Sequence, residues 1–190
     1  MSFLDIKSET HATKLLTADH RTVDALFEEF EGTEDSVKKA SIVTQICREL
    51  TVHAEIEEKI FYPESRRVLE KDDQDMVDEA YVEHASLKGL LMRLDGMKPA
   101  DHLFDAYVTV LKEYIQHHVK EEENEYFPKV EKTDLDLEAV GARMATLKEK
   151  LKAELSKLPT TRGKVTAKLL PSPSLERRSQ MMPSGQRKAA

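Results

Sequence analysis

The sequence predicts an all-α protein: an antiparallel up-down-up-down four-helix bundle, an extra C-terminal helix and a disordered basic tail. Three observations lead there. Apolar residues recur at spacings of three and four through about residue 150. The 190 residues include only 6 Gly, 7 Pro and no Trp, with abundant Glu, Lys, Leu and Ala, a composition that favours helix over sheet. The chain also repeats itself. A shift of 64 places His20 on His84, Leu26 on Leu90, Phe30 on Leu94 and Gly32 on Gly96. With one extra loop residue, a shift of 65 places Ser36 on Asp101, Ile46 on Leu111, His53 on His118, Glu57 on Glu122, Glu58 on Glu123 and Pro63 on Pro128. Each half reads as a helix, a glycine stop, a capped helix and a proline stop, and two such hairpins make the bundle.

Each element has its own signals. The first helix is expected from about Ser8 to Glu31, on the stripe Leu15, Leu16, Val23, Leu26, Phe27 and Phe30, with Gly32 ending it. The second starts near Ser36 as N-cap, carries Ile42, Val43, Ile46, Leu50, Ile56 and Ile60, stops at Pro63 and resumes for a turn through Val68 and Leu69. The third follows the acidic cap region Asp72-Asp73-Gln74-Asp75 and ends at Gly96; the fourth runs from near Asp101 to Phe127 and Pro128. A weaker fifth spans about Leu135 to Leu158, and Pro171-Ser-Pro-Ser and Pro183-Ser-Gly read as disordered. The expected division is a bundle at 1–132, an additional helix at 133–159 and a tail at 160–190.

Composition excludes several classes. No apolar run approaches the roughly 18 residues that a membrane span needs. The first 16 residues carry Asp5, Lys7, Glu9 and Lys14, so no signal-peptide core is read, and a soluble cytoplasmic chain is expected. One cysteine, Cys47, excludes an internal disulfide framework and Cys-rich metal sites, and is read as a small core residue. From Thr160 onward seven basic residues face one acid, giving +6; the rest of a chain of net charge -7 therefore carries -13. An acidic body is a poor binder of nucleic acid, which leaves the tail as a candidate arm for an unknown partner.

The chemistry lies in the repeated polar residues. His53 with Glu57 and His118 with Glu122 are each four apart, stacked on one helix face. Four helices each send one imidazole inward at a similar level, from His20, His53, His84 and His118, and two add a carboxylate. Such a set matches a dinuclear metal site in which imidazoles terminate each metal and carboxylates bridge, a donor set suited to iron, with manganese or zinc as alternatives. The ferritin-like signature Glu-x-x-His is absent, since no histidine has a glutamate three residues before it. His117 points about 100° away from His118 and is read as a surface or outer residue; His11 and His102 lack repeat partners and are read as non-ligands.

The segments Asp19-His20, His53-Ala-Glu-Ile-Glu57-Glu-Lys-Ile-Phe-Tyr-Pro63, Glu83-His84 and His118-Val-Lys-Glu-Glu122-Glu-Asn-Glu-Tyr-Phe-Pro128 resemble the hemerythrin-like family, also called the HHE cation-binding domain. The resemblance covers roughly residues 8 to 130. It implies a four-helix bundle with a non-haem di-iron centre, His20, His53, His84 and His118 as terminal ligands, and Glu57 and Glu122 as bridges. Oxygen-carrying members use a further histidine one turn after the third-helix ligand; here that position is Lys88, which as a cation does not ligate. Open metal positions for water, dioxygen, peroxide or nitric oxide follow. Tyr81 and the carboxylates of Glu58 and Glu123 are nearby candidates, read as a core tyrosine and solvated glutamates.

The expected function is a di-iron protein that interacts with dioxygen, nitric oxide or peroxide, in sensing, iron handling or stress protection. Two alternatives stand beside it: a peroxide-decomposing or oxidase-like enzyme, and a metal-stabilised interaction module with the basic tail as partner arm.

Overall fold

The computed structural model describes residues 10–157, and within them every regular element is helical. Helix α1 is Ala12–Glu31. Helix α2 starts as Ser36–Ile56, widens into a π-helical turn at Glu57–Phe61 and continues as Tyr62–Val68. A 3-10 turn at Lys71–Asp73 leads into α3, Gln74–Asp95. Helix α4 repeats the second in form: Phe104–Glu121, a π turn at Glu122–Tyr126, then Phe127–Val130. Helix α5 is Leu137–Ser156. The principal packing partners are α1 with α2 and α3 with α4, and α5 lies against α1 and α2.

Several boundaries differ from the expectation. Asp35, not Ser36, caps α2: its backbone is extended and its carboxylate accepts the Lys38 N–H at 2.9 Å. Asp101 does not open α4, because its carboxylate accepts the Lys98 N–H and closes the preceding loop. Asp136 caps α5 through the Ala139 N–H. The prolines do not stop their helices. Pro63 and Pro128 sit just after the π turns, at the start of the resumed α segments. A wide turn bonds each N–H to the fifth carbonyl back, so the N–H that Pro63 lacks is the one that would have served Glu58. The Tyr81 hydroxyl donates to that carbonyl at 3.3 Å instead. The tail expected at 160–190 lies outside the described residues.

The interior is two apolar clusters with a polar layer between them. One, near the α1–α2 and α3–α4 loops, contains Val23, Phe27, Leu50, Leu87, Phe104 and Val119. The other contains Leu16, Ile56, Phe61, Tyr62, Ala80 and Tyr126, together with Val140 and Met144 of α5. Along α1 the order is Leu16, His20, Val23, and the other three bundle helices likewise set a histidine between the clusters. Gly141 brings α5 onto the start of α1 so closely that a Cβ there would overlap the Thr10 carbonyl.

Candidate metal centre

The four repeated histidines meet in this layer, each at most 4% exposed. They form two pairs: His20 Nε2 lies 3.3 Å from His53 Nε2, and His84 Nε2 lies 3.2 Å from His118 Nε2. The two glutamates link the pairs. Glu57 Oε2 is 3.1 Å from His53 Nε2 and 3.4 Å from His84 Nε2. Glu122 Oε2 is 3.3 Å from His20 Nε2 and 3.6 Å from His118 Nε2. Each carboxylate therefore faces one imidazole of each pair. All six residues proposed from the sequence come together, in two overlapping groups able to hold a cation: His20, His53, Glu57 and Glu122, and Glu57, His84 and His118.

Outer carboxylates orient the rings. His20 Nδ1 lies 2.8 Å from Glu123, His84 Nδ1 3.1 Å from Glu58, and His118 Nδ1 2.6 Å from Glu83. A carboxylate only accepts, so each Nδ1 carries the proton and a neutral ring presents a bare Nε2 inward. The fourth contact is looser, with His53 Nδ1 3.7 Å from Asp19, beyond hydrogen-bond length. The other Asp19 oxygen pairs with Lys148 of α5. The pattern follows the repeat: Asp19 and Glu83 each precede a ligand-position histidine and serve the next helix, while Glu58 and Glu123 each follow an inner glutamate. Cations hold the latter two in turn, Lys88 on Glu58 at 2.6 Å and Arg21 on Glu123. Glu58 and Glu123 are thus ring-orienting partners rather than solvated side chains, and Lys88 is engaged with Glu58.

Tyr62 was not legible as part of the site. The π turn brings its hydroxyl to 3.0 Å from Glu122 Oε1, to which it donates, and 3.2 Å from His84 Nε2. Its repeat partner is Phe127, which stacks on His20 at 6.0 Å, so at this position the two halves differ by one hydroxyl. The signal was a proline six residues after each inner glutamate, inside a helix that does not end. Tyr81, by contrast, is at the surface with its hydroxyl on the Glu58 carbonyl. His117 is exposed and Cys47 lies in the core.

The electrostatics call for positive charge. Glu57 is fully buried with neither oxygen hydrogen-bonded, and Glu122 Oε2 is also without a partner. A buried carboxylate in this condition costs several kcal/mol unless a cation compensates it. In the metal-free chain protons do so. Burial opposes charging His118, but Glu122, Glu83 and Glu57 outweigh it and push the imidazole up to about 9. His53 is likewise raised well above its ordinary value, burial being outweighed by Glu57 and Asp19. Burial pushes the Glu122 carboxyl up, yet the charge of His118 and the neighbouring His20 ring bring it down overall. Burial, with Glu122 and Glu57, raises Tyr62 and keeps it a neutral donor. Imidazole and carboxylate donors at this spacing fit metal ions.

Residues 11–130 match the family described as hemerythrin HHE cation binding domain. Over 121 residues the chain is 31% identical to a protein from Nostoc sp. named DNA nickase, spanning 64% of this chain and 34% of that protein. Over 123 residues it is 26% identical to an uncharacterized hemerythrin-like protein of Schizosaccharomyces pombe, spanning 65% of this chain and 61% of that one. The chain thus covers about a third and about three fifths of these two relatives. A crystal structure of a hemerythrin HHE cation binding domain-containing protein, the Rv2633c homolog from Mycobacterium kansasii, is similar in fold, with a TM-score of 0.70 at 20% identity over 84% of this chain and 99% of that one. With the match running through all four bundle helices and both groups of inward His and Glu, the chain belongs to the hemerythrin HHE cation-binding domain family.

Proposed function

We propose that residues 1–132 hold a dinuclear iron centre, ligated by His20, His53, His84 and His118 and bridged by Glu57 and Glu122. It interacts with dioxygen, nitric oxide or peroxide, in sensing, iron handling or stress protection. The observation that carries this reading is the pair of buried carboxylates, with both oxygens of Glu57 and Oε2 of Glu122 lacking a hydrogen-bond partner and each group facing an imidazole from both pairs. Bound iron would supply coordination of, and electron exchange with, a small ligand. The chain's own residues do the rest. Glu58, Glu83 and Glu123 hold three Nδ1 protons so that the Nε2 lone pairs point inward. Tyr62 holds Glu122 in place. Val23, Leu50, Leu87, Ile115 and Val119 line a cavity of about 10 Å³ against the four rings. That is room for a ligand about the size of one water, and its apolar wall favours a diatomic. The acidic body opposes phosphate binding, so we assign no nucleic-acid contact to the bundle.

Elemental analysis of freshly purified chain tests the reading. About two irons per chain is the expected result. Two zincs or manganese would keep the site and weaken the redox reading. Folded protein that stays empty when offered iron anaerobically would overturn it. A second reading, a peroxide-decomposing enzyme, is favoured by Tyr62, a neutral proton donor 3.2 Å from His84 Nε2. It expects hydrogen peroxide turnover that disappears in His53→Ala and His118→Ala; an inert iron-loaded wild type would exclude it.

A further inference from the structure

The repeat makes every face of one hairpin comparable with the same face of the other, and one outer face changes from apolar to charged. On the first hairpin, Leu15, Val52, Ile56 and Ile60 flank Asp19. All four are buried in the cluster that includes Val140 and Met144 of α5, and Lys148 of α5 pairs with Asp19. The repeat-related positions on the second hairpin are Glu79, His117, Glu121 and Glu125, flanking Glu83. Four apolar side chains are replaced by three carboxylates and an imidazole. Helix α5 lies against the first hairpin, and Glu79, His117 and Glu125 are exposed.

This acidic face is not a flat surface. A cavity of about 70 Å³ runs inward from it, lined by Glu79, Glu83, Glu121 and Glu125 and, deeper, by His118 and Glu122. About 10–15 Å³ of such space holds one water, so several fit. Among the described residues no Lys or Arg lines it. At its inner end Glu122 is 2% exposed and its Oε2 has no hydrogen-bond partner. At its outer end Glu83, His117 and Glu121 bring their donor atoms within 4.8 Å of one another. His117 Nε2 is 3.2 Å from Glu121 and 3.9 Å from Glu83, spacings that a cation bonded at about 2.0–2.2 Å to each donor can span. Glu83 belongs to both ends: one oxygen faces His117 while the other accepts from His118 at 2.6 Å.

We propose that Glu83, His117 and Glu121 form a docking site for an incoming divalent cation, and that the acidic cavity beside them is its path to the buried centre. The proposal rests on the reading of that centre given above. Three donors on a half-open surface leave most of the ion's shell to water, which suits a site that must release its cargo. Five carboxylates with no lysine or arginine among the described lining residues raise the local cation concentration. On the first hairpin α5 seals the equivalent route with apolar side chains, so the structure offers uptake from one side.

The test is stopped-flow uptake of Co²⁺ alone by the metal-free full chain, followed by its visible absorption and by ions bound at the endpoint. The double variant His117→Ala, Glu121→Gln is compared with Glu79→Lys on the opposite rim and with Glu113→Gln, an exposed charge control on the same helix. Glu83 is left intact because it orients His118. Both rim variants are expected to load about tenfold more slowly, with a weaker salt dependence than wild type, yet to reach the same two ions per chain. The control is expected to load at the wild-type rate. Wild-type rates in both rim variants would overturn the path. An endpoint lowered along with the rate would also overturn it, by assigning these residues to the centre. A wild-type chain that binds no Co²⁺ would instead overturn the reading of the centre.

Discussion

Raising the pH of the metal-free chain from 6 to 10 isolates the protons that stand in for metal. His118 has its pKa pushed up from 6.5 to about 9 by Glu122, Glu83 and Glu57 against the opposing effect of burial. At about 1.4 kcal/mol per pKa unit, the rise is worth about 3 kcal/mol. The sign is that of a raised folded-state pKa. Below 6.5 the imidazole is protonated in both states and the full contribution is present. Between 6.5 and about 9 the unfolded chain loses the proton and the folded chain keeps it, so stability falls by up to about 1.4 kcal/mol per pH unit. Above 9 nothing remains to lose. His53, also raised, adds to the same slope. At saturating metal the rings are neutral in the folded state and the window should be flat, because metal affinity climbs with pH as the protein's own stability drops. Urea denaturation in chelator at half-unit pH steps, with and without metal, measures both. Metal-free stability that is flat or rising from 6.5 to 9 would refute the assignment of protons to these histidines.

Other perturbations have equally definite expectations. Gly141→Ala drives a Cβ into the Thr10 carbonyl and should cost about 1–3 kcal/mol in thermal denaturation by lifting α5 from α1; an unchanged midpoint would contradict the packing. Glu58→Gln and Glu123→Gln each loosen one ring and should weaken metal affinity about 10–100-fold in chelator competition, with little change in far-UV circular dichroism. Tyr62→Phe removes the donor to Glu122 and gives this position the ring that Phe127 has in the other half. Its fold should survive while the spectrum of the loaded centre shifts, and a spectrum identical to wild type would place the hydroxyl outside the centre's influence.

The convergence of the six inner residues was legible because its logic is local. Four residues on a helix are one turn, and duplicating His53-Glu57 as His118-Glu122 at a constant shift removed the ambiguity of either pair alone. The outer set was not, because Asp19, Glu58, Glu83 and Glu123 sit in stretches so rich in charge that a solvated carboxylate reads the same as one holding a ring. Which it is depends on the neighbouring helix. Tyr62 was lost for a different reason. Five residues beyond Glu57 it should lie about 140° round an α-helix, away from the site. The π turn absorbs the difference, and nothing in apolar periodicity reports a π turn. The same turn explains why Pro63 and Pro128 looked like stops. Helix α5 was visible as a weak stripe, but its contact with one hairpin, which makes the faces of the duplicated bundle unequal, required the packed structure.

The polar layer between the two apolar clusters has a consequence for cooperativity. Hydrophobic contact couples the parts of most small domains into one all-or-none unit. Here the apolar contact is interrupted at mid-height by six polar side chains that meet through charge and ring edges. Each cluster is then its own reservoir of apolar burial, joined to the other through helical backbone and ionic pairs. On the proposed ligation, bonds from all four helices would span the gap at once, so a bound cation would do more than add stability. It would fuse the two clusters into one folding unit, and the sharpness of the unfolding transition should then depend on metal occupancy.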